Sequence, residues 1–211
     1  MKNILFTLAL FICFTSFGQT ADYPEDPNQY LAEVYSGKGY DKAKAFDHFG
    51  AISDYTKAIG FYPNYAKAYI NRGVSKAALQ DYNGAISDYT KYIELDPNYA
   101  KVYINRGISK HLSRNYNGAV SDYTKYIELD PNYAEAYNNR GDSKNSLRAY
   151  NEAIVDLNKA IELDPNYAKA YHNRSISKEG LGDLIGACAD AKKAINLGIN
   201  NSIKWVASNC N

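Results

Sequence analysis

Four prolines constrain this chain more than any other feature. Pro63, Pro97, Pro131 and Pro165 stand thirty-four residues apart, and each is followed by Asn-Tyr-Ala. The string SDYTKYIELDPNYA at 87–100 recurs letter for letter at 121–134, one period later. Each proline closes an apolar run such as YTKYIEL. Proline cannot continue a helix, so it ends one, and the Asn after it is expected to cap the next. Within a period, Tyr69, Gly73 and Lys76 fall on one helical stripe and Ala85, Tyr89 and Tyr92 on another. The turn Gln80-Asp81-Tyr82-Asn83-Gly84 separates them. Each period therefore reads as helix–turn–helix, and such a unit buries its apolar face only by stacking on its neighbours.

The first eighteen residues do not share the period. MKNILFTLALFICFTSFG carries one Lys, then an apolar run from Ile4 to Phe14, then the small residues Ser16 and Gly18. This is the pattern of a secretory signal peptide over 1–18, cleaved near Gly18; the run is too short to span a membrane comfortably. A lipid-bearing Cys13 is the rival reading, disfavoured because Ile12 stands where such signals carry a small side chain. Loss of Lys2 reduces the 24 basic residues to 23, equal to the 23 acidic ones. A nucleic-acid partner is not expected of a chain without basic excess. No membrane insertion is expected after cleavage, and the expected location is the periplasm, cell envelope or outside the cell. Residues 19–31, with Pro24 and Pro27, read as a linker.

The repeating residues resemble the tetratricopeptide repeat, whose period is also thirty-four. The family pattern is met by Tyr69, Gly73, Tyr82, Ala85, Tyr89 and Pro97, by Tyr103, Gly107, Tyr116, Ala119, Tyr123 and Pro131, and by Tyr137, Gly141, Tyr150, Ala153, Leu157 and Pro165. The resemblance implies an all-α, right-handed superhelical solenoid. Five repeats are expected over 32–201, namely 32–65, 66–99, 100–133, 134–167 and 168–201, with a capping segment at 202–211. The first and last are degenerate, as the ends of a stacked array should be. Gly73 is expected to face Ala85 and let the two helices of a hairpin approach closely. One departure from the family repeats itself. Arg72, Arg106, Arg140 and Arg174 stand where an apolar residue is usual, in step with Asp54, Asp88, Asp122, Asp156 and Asp190. An ion-pair ladder between helices is expected, against the alternative of solvated surface arginines.

The resemblance also implies that the first helix of each unit lines a concave groove that takes a protein or peptide. Read onto this chain, the groove carries Lys67, Ile70, Asn71 and Val74, then Lys101, Ile104, Asn105, Ile108, His111 and Leu112, then Asn138 and Asp142, then His172. Its first half is apolar and its second polar, and the apolar stripe is the expected seat of a ligand. A carboxylate clamp for a peptide terminus is not expected, because Ile70, Val74, Ile104 and Ile108 replace the Lys and Asn it needs.

After cleavage Cys188 and Cys210 remain. They are expected to pair, stapling a short C-terminal helix to the last repeat and contributing about 3 kcal/mol; the alternative is two separate thiols. His111 and His172 are expected to lie about 20 Å apart, too far to share a metal. No H-E-x-x-H, no phosphate-cradling glycine loop and no G-x-S-x-G elbow occurs. No catalysis, cofactor or metal is expected. The reading is a non-catalytic binding scaffold. The alternative is a structural subunit of an envelope assembly, docking through its convex face or its ends.

Overall fold

A computed structural model describes residues 26–200 and 202–210. The signal peptide, Cys13 and linker residues 19–25 lie outside the described residues. Eleven α-helices and no strands occur among the described residues. Five hairpins follow one another: α1 (Pro27–Lys44) with α2 (His48–Phe61), α3 (Ala66–Ala78) with α4 (Tyr82–Leu95), α5 (Ala100–Leu112) with α6 (Tyr116–Leu129), α7 (Ala134–Ser146) with α8 (Tyr150–Leu163), and α9 (Ala168–Gly180) with α10 (Leu184–Asn196). A seven-residue helix α11 (Ile203–Asn209) closes the array. Helix α1 begins at Pro27, inside the expected linker; Pro at the first helical position and Asp26, accepting from the Asn28 amide at 2.9 Å, start it early.

Each helix packs on the next in sequence. The odd-numbered helices of successive hairpins also touch one another, whereas the even-numbered ones do not. The stack therefore curves with α1, α3, α5, α7 and α9 on its inner side.

The close approach inside a hairpin rests on glycine, with a different partner from the one expected. A Cβ on Gly73 would fall 2.7 Å from Cε1 of Tyr89, and one on Gly107 equally close to Tyr123. Gly73 thus makes room for an aromatic ring rather than for Ala85, which is itself fully buried. In the fourth hairpin Leu157 takes the ring's place, with Cγ 2.8 Å from a Cβ on Gly141.

The Asp-Pro-Asn turn also works differently from the expectation. The N-cap of α5 is Tyr99, not Asn98, and it makes no side-chain cap bond. Asp96 instead accepts from the Asn98 amide at 3.3 Å, and Asp164 from the Asn166 amide at 2.9 Å. The Asp folds the chain around the proline as an Asx turn, so Asn donates backbone rather than side chain. Helices α2, α4, α6 and α10 are capped by Asp47, Asp81, Asn115 and Asp183, each accepting from a glycine amide at 2.9–3.0 Å. Ala149, at the start of α8, caps nothing.

The ladder is present, and its registry is set inside each hairpin. Arg106 donates from Nε and Nη2 to both oxygens of Asp122, at 2.9 and 2.7 Å, and from Nη1 to Thr90 of the preceding hairpin at 3.0 Å. Lys110 adds a contact of 2.8 Å to the same carboxylate. Arg72, Arg140 and Arg174 repeat the fork onto Asp88, Asp156 and Asp190. Each guanidinium also lies over a tyrosine ring one turn earlier, as Arg106 does over Tyr103. The Asp122 side chain is 4% exposed, so the desolvated carboxylate depends on its cations. In the first hairpin Lys42 replaces the fork, 2.6 Å from Asp54. Burial pushes the Asp54 carboxyl up, but Lys42 and Lys57 outweigh it and hold the carboxyl below its ordinary value.

Candidate functional site

The inner face is built from residues one helical turn apart on α3, α5, α7 and α9, and the structure sorts the expected groove residues into three groups. Lys67, Lys101, Val74 and Leu112 are exposed; Val74 keeps 47% and Leu112 51% of its surface. Ile70 and Ile108 are partly buried against the core formed by the second and third hairpins. Ile104 is 8% exposed and belongs to that core. It is packed into that core rather than open to the groove. Asn71 and Asn105 are half-buried on the same helices.

Asn138 is also withdrawn from solvent. Its Oδ1 accepts from Asn173 Nδ2 at 3.0 Å and its Nδ2 donates to Asn139 Oδ1 at 3.2 Å. Asn145 Nδ2 donates to the Asn173 carbonyl at 2.8 Å, and Ser177 Oγ to Asn145 Oδ1 at 2.6 Å. This chain of buried amides joins α7 to α9: Asn138 stands where the two preceding hairpins have Ile70 and Ile104, and Asn145 where they have Ala77 and His111, while Asn173 and Ser177 repeat an Asn and a Ser common to those hairpins. A satisfied buried network of this kind fixes one registry between repeats.

A cavity of about 590 Å³ opens beside that network, lined by Asn139, Asp142, Lys169, His172 and Asn173 and by 198–200 from the chain leading to α11. It lies in the polar half of the inner face, not along the apolar stripe where a ligand was expected. A smaller cavity of about 100 Å³ adjoins it, walled by Ile108, Leu112 and Tyr123, with His111, Asn139 and Asp142 around it. Asp142 lines both.

His111 and His172, expected to lie about 20 Å apart, both act on Asp142. His111 Nε2 is 3.6 Å from Asp142 Oδ2, beyond ordinary hydrogen-bonding distance. Ser143 Oγ lies 2.9 Å from both the Asn139 carbonyl one turn back and His111 Nδ1. Its single hydroxyl proton serves one of them at a time, so both tautomers of the neutral imidazole are compatible with this contact. His172 Nδ1 lies 2.8 Å from Ser202 Oγ, tying α9 to the C-terminal segment. Burial holds the His172 pKa below its ordinary value against the pull of Asp142. Burial likewise raises the Asp142 carboxyl, with both imidazoles acting in the opposite sense. Asp142 was legible as an exception: the equivalent residue is Val74, Ile108 and Ile176 in the second, third and fifth hairpins and Tyr40 in the first. No group of three or more His, Cys, Asp and Glu side chains among the described residues could hold a metal ion.

Near this site, Cys188 and Cys210 have Cα atoms 5.5 Å apart, a span a disulfide bridges. Trp205 Nε1 donates to Glu179 Oε1 at 2.8 Å, so α11 is also pinned to the end of α9. No helix among the described residues is long and apolar enough to cross a membrane.

Family profiles for the tetratricopeptide repeat match residues 66–99, 100–133 and 134–167. The chain is a tetratricopeptide-repeat protein. Its fold is similar to a crystal structure of MamA protein, at 26% identity and a TM-score of 0.75, covering 83% of this chain and 95% of that one. It is similar to MamA 41-end from Desulfovibrio magneticus RS-1, at 20% identity and a TM-score of 0.76, with 79% and 94% covered. It is also similar to YrrB, described as a TPR protein with an unusual peptide-binding site, at 19% identity and a TM-score of 0.74, with 84% and 91% covered. No curated protein matches by sequence. Proteins of this family are typically non-catalytic scaffolds for protein interaction.

Proposed function

We propose that this protein is an exported, non-catalytic scaffold that holds an extended segment of another protein along its inner face. The observation that carries this reading is the pair of adjoining cavities between α5, α7 and α9. They put unused polar groups beside the exposed apolar side chain Leu112 on the curved side of a rigid stack. The likeness to a repeat protein described as peptide-binding supports the same reading. Export rests on the N-terminal pattern of Lys2 and the Ile4–Phe14 run. A Cys188–Cys210 cross-link suits an oxidising compartment.

A second reading has its own observation. Phe46 and Phe49, 86% and 77% exposed, sit at the turn of the first hairpin, and Leu184 and Ile185, 50% and 88% exposed, at the turn of the last. These patches suit an assembly subunit that docks through its ends. Affinity capture from envelope extract separates the two. The scaffold reading expects Leu112→Asn to lose the partner and Phe49→Asn/Ile185→Asn to keep it, and the opposite pattern would favour docking through the ends. All three side chains are exposed, so both variants should fold. Substitution of Ile104, which is in the core, would not be informative.

A further inference from the structure

We propose that the small cavity at Asp142 is a specificity pocket for a lysine or arginine side chain of the bound segment. The proposal rests on the scaffold reading above and names what that groove selects.

Three features converge. Among the described residues the carboxylate of Asp142 accepts no hydrogen bond, unlike the ladder carboxylates, each of which has two cations. The His111 imidazole stands 3.6 Å away, beyond hydrogen-bonding distance, and leaves the carboxylate open to a ligand. An ammonium or guanidinium supplies donors to it, whereas a carboxylate or a neutral amide carbonyl would add another acceptor. The walls on the inner side are Ile108, Leu112 and Tyr123, and the volume of about 100 Å³ suits an unbranched aliphatic stem. The larger cavity on the other side of Asp142 offers Asn139 and Asn173 to the segment's backbone.

The charged and titratable groups facing Asp142 are His111 from α5, Tyr123 from α6, and His172 and Lys169 from α9. Lys169 is the fixed cation among them, and it lines only the larger cavity. Burial raises the Asp142 carboxyl, so acidification removes the charge that would hold the ligand's cation. Binding of a cationic side chain should therefore weaken on acidification.

The test uses a displayed library of random heptapeptides, selected on the mature chain near neutral pH, with the enriched peptides then synthesised. The expected result is Lys or Arg at one fixed position. Replacing it by norleucine should weaken binding to wild type at least about tenfold, and less than about twofold to Asp142→Asn. Wild-type affinity should also fall on acidification, and this fall should flatten in Asp142→Asn. Peptides weakened by Leu112→Asn but without a basic residue, or a norleucine penalty that survives Asp142→Asn, would overturn the pocket and leave the groove standing. No enrichment, or peptides indifferent to Leu112→Asn, would overturn both.

Discussion

The inner helices of the second and third hairpins bring Ile70, Ile104 and Ile108 to one apolar core, whereas those of the fourth and fifth are joined by Asn138, Asn145, Asn173 and Ser177. The backbone is the same in both places, and so is the Arg–Asp fork. What differs is the layer between the inner helices. Apolar packing there contributes stability and leaves little for a ligand. The amide network leaves hydrogen-bonding edges, an unpaired carboxylate and a cavity. The repeat thus supplies one rigid frame, and local departures from it supply the site.

The largest effect should come from breaking the apolar layer. Ile104→Asn removes packed volume and buries an unpartnered amide, and should cost about 3–5 kcal/mol in urea unfolding. The fork should not distinguish the two regions. Arg106→Leu and Arg174→Leu each leave a buried carboxylate with one lysine, so each should cost about 2–3 kcal/mol. A clear inequality between them would show that the surroundings, not the fork, set its worth.

The polar layer should behave in a way the apolar one cannot. Asn173→Leu alone strands the Asn138 side chain and should cost about 1–3 kcal/mol, while adding Asn138→Leu should recover most of the loss. The smallest effect is a gain. The raised carboxyl pKa of Asp142 means that its stabilising contribution is present at acid pH and is lost as pH rises through that value. Asp142→Asn should therefore melt slightly higher than wild type at neutral pH, by less than about 1 kcal/mol given its partial exposure. Both proteins should converge as the pH falls.

Much of this was readable in the sequence, for reasons that particular residues make plain. Proline, glycine and tyrosine at fixed spacing determine the hairpins, because each acts through local geometry. The periodic Arg and Asp announced a ladder, but not that Thr90 would tie Arg106 to the preceding hairpin, since that contact depends on the rotation between repeats. Ile104 was misplaced for the same reason. It lies on the groove-facing side of an isolated helix, and only the packing of the hairpins into one core buries it. The His111–Asp142 contact joins side chains from two repeats and needs their relative height as well as their spacing. Asp142 itself stood out as a charge in a column of tyrosine, valine and isoleucine.

The central claim is that the polar half of the inner face receives the ligand. Amide chemical-shift mapping of the mature chain during titration with a selected peptide tests it most directly. The account predicts the largest shifts at Leu112, Asn139, Asp142 and His172. Shifts confined to Phe46, Phe49, Leu184 and Ile185 would contradict it.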